Sequence, residues 1–165
     1  MTTWNGAITN EDGLVVKFDT DRSTPVTDGV SNAKEKVLEI YLDSQNLDAA
    51  SAAARNDRAE LPANALVLSS EFVATTAFVG TGTLDIGTAD TAGSALDANG
   101  LHAAIDVDVV LAAVGDKAVG AGEQVGGSVI SERAYVYGAT SGTVSAGAGV
   151  LYVKYIVHNF TDPAS

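Results

Sequence analysis

The chain has 165 residues, enough for one domain with a real core and too few for two comfortable ones. Nine basic against 21 acidic side chains leave a formal net charge of −12, which argues against nucleic-acid binding and against anionic membranes, both of which need Lys and Arg to neutralise phosphate. No cysteine is present, so disulfides, thiolate metal sites and cysteine nucleophiles are excluded.

Hydrophobic residues make up 46% of the chain but aromatics only 6%, so the core must rest on Val, Ile, Leu and Ala. The first residues, MTTWNGAITNEDG, lack a basic stretch followed by an apolar one, so no signal peptide is expected and synthesis is placed in the cytoplasm. No apolar run reaches the ~18 residues of a membrane span. Residues 1–12 are polar and read as a flexible arm, leaving 13–165 as a single domain. Trp4, the only tryptophan, lies on that arm. It suits an anchor that buries itself in a partner or neighbouring subunit, and equally a side chain that packs back on its own domain.

Gly13 to Asp19 reads as a first strand, followed by a loop over 19–32 with Pro25 and Gly29 as breakers. In Lys36–Asp43 the residues Leu38, Ile40 and Leu42 alternate with Glu39, Tyr41 and Asp43, a period of two that favours a half-buried strand. The alanine-rich stretch from Asp48 to Glu60 reads as a short helix or an irregular connection. Pro62 then halts it.

From Ala65 onward the apolar residues Leu66, Leu68, Phe72, Ala74 and Phe78 share one expected face, with Val67, Ser69, Glu71 and Thr75 on the other. Gly80-Thr81-Gly82 reads as a turn and Leu84 and Ile86 as the returning strand of a hairpin. A surface loop over 89–100 is expected next, then an alternating strand through Ile105, Val107, Val109 and Leu111. Residues 115–127 read as loop, Ser128 to Tyr137 as a strand, and 139–149 as a small-residue run with a short strand near Val144. Leu151, Val153, Tyr155 and Val157 close the chain on one face. Seven or eight short strands with frequent turns predict an all-β, antiparallel sandwich or barrel.

Residues that could carry chemistry are few. His102 and His158 each sit among apolar neighbours, no G-x-S-x-G elbow is present, and two separated histidines do not make a cupin-type metal cluster. The acid pairs Asp19/Asp21 and Asp106/Asp108 could seed a Ca²⁺ site, but neither continues into a full set of ligands, and solvent exposure is the simpler reading. The glycine clusters fit no phosphate-binding motif. Asn159-Phe160-Thr161 matches a glycosylation sequon and reads as chance. Neither an enzyme nor a cofactor is expected.

The segments Leu61-Pro62-Ala63-Asn64-Ala65, Thr75-Thr76-Ala77-Phe78 and Thr81-Gly82-Thr83-Leu84-Asp85-Ile86-Gly87-Thr88, with LDANGL from Leu96 to Leu101 and the closing TSGTVSAGAGVLYVKYI, resemble the β-sandwich decoration (cement) proteins of tailed-phage heads. The likeness covers most of residues 13–157. It implies a jelly-roll-like subunit acting as a homotrimer on the outer capsid surface of the virion, with the major capsid protein as partner and no catalytic residues. A head-fibre or knob module that binds a receptor or carbohydrate is the alternative, although its usual exposed aromatics are scarce.

Overall fold

The computed structural model describes the strands at residues 7–9 and 15–17, then residues 35–44 and 60–157. The chain forms the expected all-β, antiparallel sandwich. Its strands are β1 (Ala7–Thr9), β2 (Val15–Lys17), β3 (Lys36–Asp43), β4 (Glu60–Leu61), β5 (Ala65–Ala89), β6 (Ala95–Asp106), β7 (Lys117–Val119) and β8 (Ala134–Val157), with one helical turn, α1 (Val107–Val110), between β6 and β7. β1 and β2 pair with each other, Ala7 opposite Lys17, in a compact unit separate from Ala33–Phe160. The stretch at 48–60 read as a short helix lies outside the described residues, except Glu60, which begins β4.

The second unit is built on two long strands, β5 and β8, of 25 and 24 residues, paired antiparallel along nearly their whole length. One end of this ribbon is flanked by β3 against β8 and by β7 against β5. The other end is flanked by β4 against β8 and by β6 against β5. Tyr135 pairs with Ala89 on one side and Glu60 on the other, while Ala65, just beyond Glu60, pairs with Val157 at the opposite end of β8. The ribbon therefore doubles over. Its halves make two four-stranded layers, β3-β8-β5-β7 and β4-β8-β5-β6, around one core.

The hairpin expected at Gly80–Gly82 does not form. β5 runs straight through it, with Gly80 opposite Val144 and Gly82 opposite Gly142. These glycines serve the bend of the ribbon rather than a turn. Gly80 has a φ of +135°, and a Cβ there would lie 1.8 Å from the Thr143 carbonyl oxygen, so the two backbones approach more closely than any side chain permits. Register shifts between Ala74 and Gly80 concentrate the bending in the same place. The true hairpin turn lies inside the expected loop at 89–100. There the Asp90 side chain accepts hydrogen bonds from the Ala92 and Ser94 amides, each at 2.8 Å, and the Asp90 amide donates to Ser94 O. A side-chain oxygen standing in for backbone is what makes Asp a turn former. In the same way β8 runs unbroken through the small-residue stretch at 139–149, and the strand expected from Ser128 begins at Ala134.

Two further differences have local causes. A bulge between Val67 and Ser69 inverts which residues face inward. Before it Ala65 and Val67 are fully buried; after it Ser70, Phe72 and Ala74 are. Leu66 is therefore only half-buried and Leu68 is 40% exposed, contrary to the expected face. The strand expected through Val107 and Leu111 is instead α1 and its exit. Val107 and Leu111, four apart, are buried as a helical turn requires, and Val109 turns out to solvent. The expected loops are also shorter than read, since β6 begins at Ala95 and Lys117–Val119 forms β7. β3 has the expected bounds, and Ile40, Leu42, Phe72, Phe78, Leu84, Ile86, Leu151 and Val153 join one core. Phe72 and Phe78 meet edge to face, with ring centroids 5.9 Å apart.

Candidate functional site

His102, the sequence candidate closest to catalysis, lies on β6 with 1% of its surface exposed. Its Nε2 is 2.8 Å from Ser70 Oγ on β5. Nδ1 has no hydrogen-bonding group of a described residue within reach. A proton on Nε2, donated to Ser70, leaves only a lone pair unmatched in the core, the cheaper way to bury an imidazole. Desolvation lowers the His102 pKa to about 4. The pair therefore joins the two layers of the sandwich as a neutral hydrogen bond. No carboxylate of a described residue orients it, so it has the geometry of a structural link rather than of a nucleophile and base.

Asp106 and Asp108 come together at the start of α1, both exposed. The Asp106 carboxyl is pushed above its ordinary range, first by a side-chain hydrogen bond with Asp108 and also by the charge beside it. Among the described residues no group of three acids or histidines is placed to hold a metal ion. Trp4, Asp19, Asp21, His158 and the sequon at 159–161 lie outside the described residues. An open depression of about 260 Å³ is lined by Leu96, Asp97, Glu123, Gln124 and Ser128 to Ser131. It carries two carboxylates and no cation, and Gln124 in its wall is already engaged with Thr88.

The surface is more informative than the interior. Along β5, β6 and α1, from Phe72 to Asp116, six aspartates occur and no Lys or Arg. The charges of Asp97 and Asp85, after burial, help raise the Tyr137 hydroxyl pKa. By contrast the outer face of the β3-β8-β5-β7 layer mixes apolar and paired charged residues. Val37, Tyr41 and Tyr152 stand on it exposed, and Val119 beside them. Lys117 bonds Glu71 at 2.8 Å, and Lys154 bonds Glu35 at 3.2 Å. Sequence reading overlooked this face because it took the solvent phase of each strand as uninformative. The signal was present in β3, where Val37 and Tyr41 occupy outward positions that solvent alone would give to polar residues.

The fold is shared with chains of solved phage structures. A chain of the acidic stable capsid of Helicobacter pylori bacteriophage KHP30 matches with a TM-score of 0.52 at 15% identity, over 74% of this chain and 87% of that one. A chain of the capsid of Ralstonia phage GP4 matches with a TM-score of 0.51 at 18% identity, over 82% of this chain and 91% of that one. No protein-family model and no curated protein matches the sequence. At such identities the likeness is one of backbone, to capsid chains at large and not to decoration proteins in particular. This chain has a fold found in phage capsids.

Proposed function

We propose that this chain is a structural protein of a phage virion, a decoration (cement) protein that sits on the outer surface of the head. It acts as a homotrimer, binds the major capsid protein and stabilises the shell. The observation that carries the reading is the doubled-over antiparallel sandwich, common to two phage capsid chains over most of their lengths. The resemblance of Leu61 to Thr88 to decoration proteins narrows it. A β scaffold whose described residues assemble no catalytic group suits a protein whose work is contact, and several copies binding together gain avidity from modest contacts. The acidic surface keeps a crowded particle dispersed.

The test is co-sedimentation of the purified protein with expanded heads that lack it, alongside its mass in solution. A trimer that pellets with heads and raises their melting temperature is the expected result. A protein that never pellets with its own heads sinks the proposal. The alternative, a receptor- or carbohydrate-binding module, draws support from the exposed Tyr41 and Tyr152, whose rings could stack on sugars. Binding on a glycan array, abolished in Tyr152→Ala, would favour it.

A further inference from the structure

We propose that the exposed apolar tip formed by residues 107–116 docks into a partner protein, in an apolar recess rimmed by Lys or Arg. The proposal rests on the virion reading just given, under which that partner is the shell, and it names the contact. The tip is the sequence VDVVLAAVGD, with no polar side chain between Asp108 and Asp116. Solvent exposure alone would favour polar residues there. Yet Val109 is 72% exposed and Val114 70%, with Ala112 and Ala113 exposed between them. Val79 on β5 is 56% exposed, next in sequence to Phe78, whose amide bonds the tip at Leu111 O. Exposed apolar residues concentrated in one short segment mark a contact surface.

The tip is ordered before any partner arrives. Val107 and Leu111 are sunk in the core and anchor it. Leu111 O accepts the Phe78 amide at 2.9 Å, the Gly115 amide donates to Ala74 O at 2.8 Å, and Asp116 O accepts the Ala74 amide at 2.8 Å. The Asp116 carboxylate closes the turn by accepting the Ala113 amide at 2.7 Å, beside Gly115 at a φ of +90°. β5 thus clamps the segment at two points. A contact loop already fixed in the free chain loses little entropy on binding.

Charge selects the occupant. Asp106 and Asp108 stand exposed at one end of the tip and the half-buried Asp116 at the other, and no Lys or Arg occurs from Phe72 to Asp116. The next residue, Lys117, is already held by Glu71. Asp106 and Asp108 crowd each other, and the hydrogen bond between them holds the Asp106 carboxyl above its ordinary range. A cation of the partner relieves that crowding. A second copy offers the same acids, and nucleic acid or an anionic bilayer offers phosphate, so all three are repelled. An apolar recess bordered by Lys or Arg meets both features of the tip at once.

The test is co-sedimentation of the full chain and its variants with heads that lack it, at low and high salt. Val109→Glu and Val114→Glu place a carboxylate in the tip. Val37→Glu places one at an equally open valine on β3, which pairs with β8 and not with β5. The added carboxylate would strengthen a purely ionic contact with a basic rim, so a loss of binding reports burial of the valines. Expected are head binding by wild type and Val37→Glu that weakens as salt rises, and at least a tenfold loss of affinity in both tip variants with unchanged melting. Tip variants that bind as wild type does overturn the proposal and leave the virion reading standing. An equal loss in Val37→Glu, or wild-type binding that strengthens with salt, also overturns it. Wild type that never binds heads removes the virion reading and the proposal together. Binding to phosphatidylcholine vesicles that is lost in Val109→Glu assigns the tip to lipid and overturns the proposal as well.

Discussion

Ser70 Oγ and His102 Nε2 meet at 2.8 Å across the interior of the sandwich, joining β5 to β6 from opposite layers. Ser70 and Ile86 lie on the same strand, and Ile86 is the register partner of His102. The bond therefore closes β5 back on itself and records the doubling of the ribbon.

That link should make stability depend on pH. The folded pKa of His102 is about 4 against an ordinary value of 6.5, so between those values the unfolded chain holds the extra proton. The stabilisation is complete above pH ~6.5 and declines as pH falls toward ~4, by at most ~1.4 kcal/mol per pH unit and roughly 3 kcal/mol in all. Titrating carboxylates add their own slope, so the measurement is the difference between wild type and His102→Gln in urea denaturation at several pH values. Parallel curves for the two proteins would show that His102 does not titrate with folding.

The bulge between Val67 and Ser69 gives a paired prediction. Phe72→Ala should cost about 3–5 kcal/mol, because a fully buried ring leaves a cavity beside Phe78. Leu68→Ala, at a residue that simple alternation places on the same face, should cost less than ~1 kcal/mol. Chemical denaturation of both variants checks the register directly.

Gly80→Ala tests the bend. The new methyl group meets the Thr143 carbonyl at a backbone φ that side chains avoid, and a loss of at least ~2–3 kcal/mol is expected from strain alone. A neutral result in thermal melts would mean that β5 and β8 do not approach so closely at the fold of the ribbon.

Arg133 at the start of β8 grips Glu60 on β4 through Nε and Nη2, at 2.5 and 2.8 Å. The Arg133 side chain is 59% exposed and that of Glu60 18%, so Arg133→Ala should lower stability only slightly despite the two-pronged geometry. The loss should shrink in high salt, which denaturation at two ionic strengths reads out.

Strand content was legible wherever one face of a strand meets water. Lys36–Asp43 emerged with its bounds intact because Leu38, Ile40 and Leu42 alternate cleanly against polar neighbours. Legibility failed where a local signal served a non-local purpose. Gly80, Gly82 and Gly142 look like turn residues, yet they permit close approach between strands some sixty residues apart in sequence. Leu68 looks like core, yet one unpaired residue at a bulge turns it outward. The period of two at Ile105 to Leu111 also accommodates the four-residue spacing of Val107 and Leu111, and burial chose the helical turn. Of the surface features, the acid-only stretch from Phe72 to Asp116 is plain in the sequence, whereas the apolar rows across β3, β8, β5 and β7 exist only once the strands are in register.

By itself, then, the order of residues determined an all-β, antiparallel chain, an aliphatic core, a strongly acidic surface and the scarcity of catalytic groups. These follow from composition and from side-chain alternation, which act over a few residues at a time. Tertiary structure decided that two strands of some two dozen residues replace several short ones, that their ribbon folds over at its glycines, and that His102 is sealed against Ser70. It also decided which exposed apolar residues lie together. Each of these depends on pairing between distant segments, where the free energy of burial is shared among residues that no local window contains.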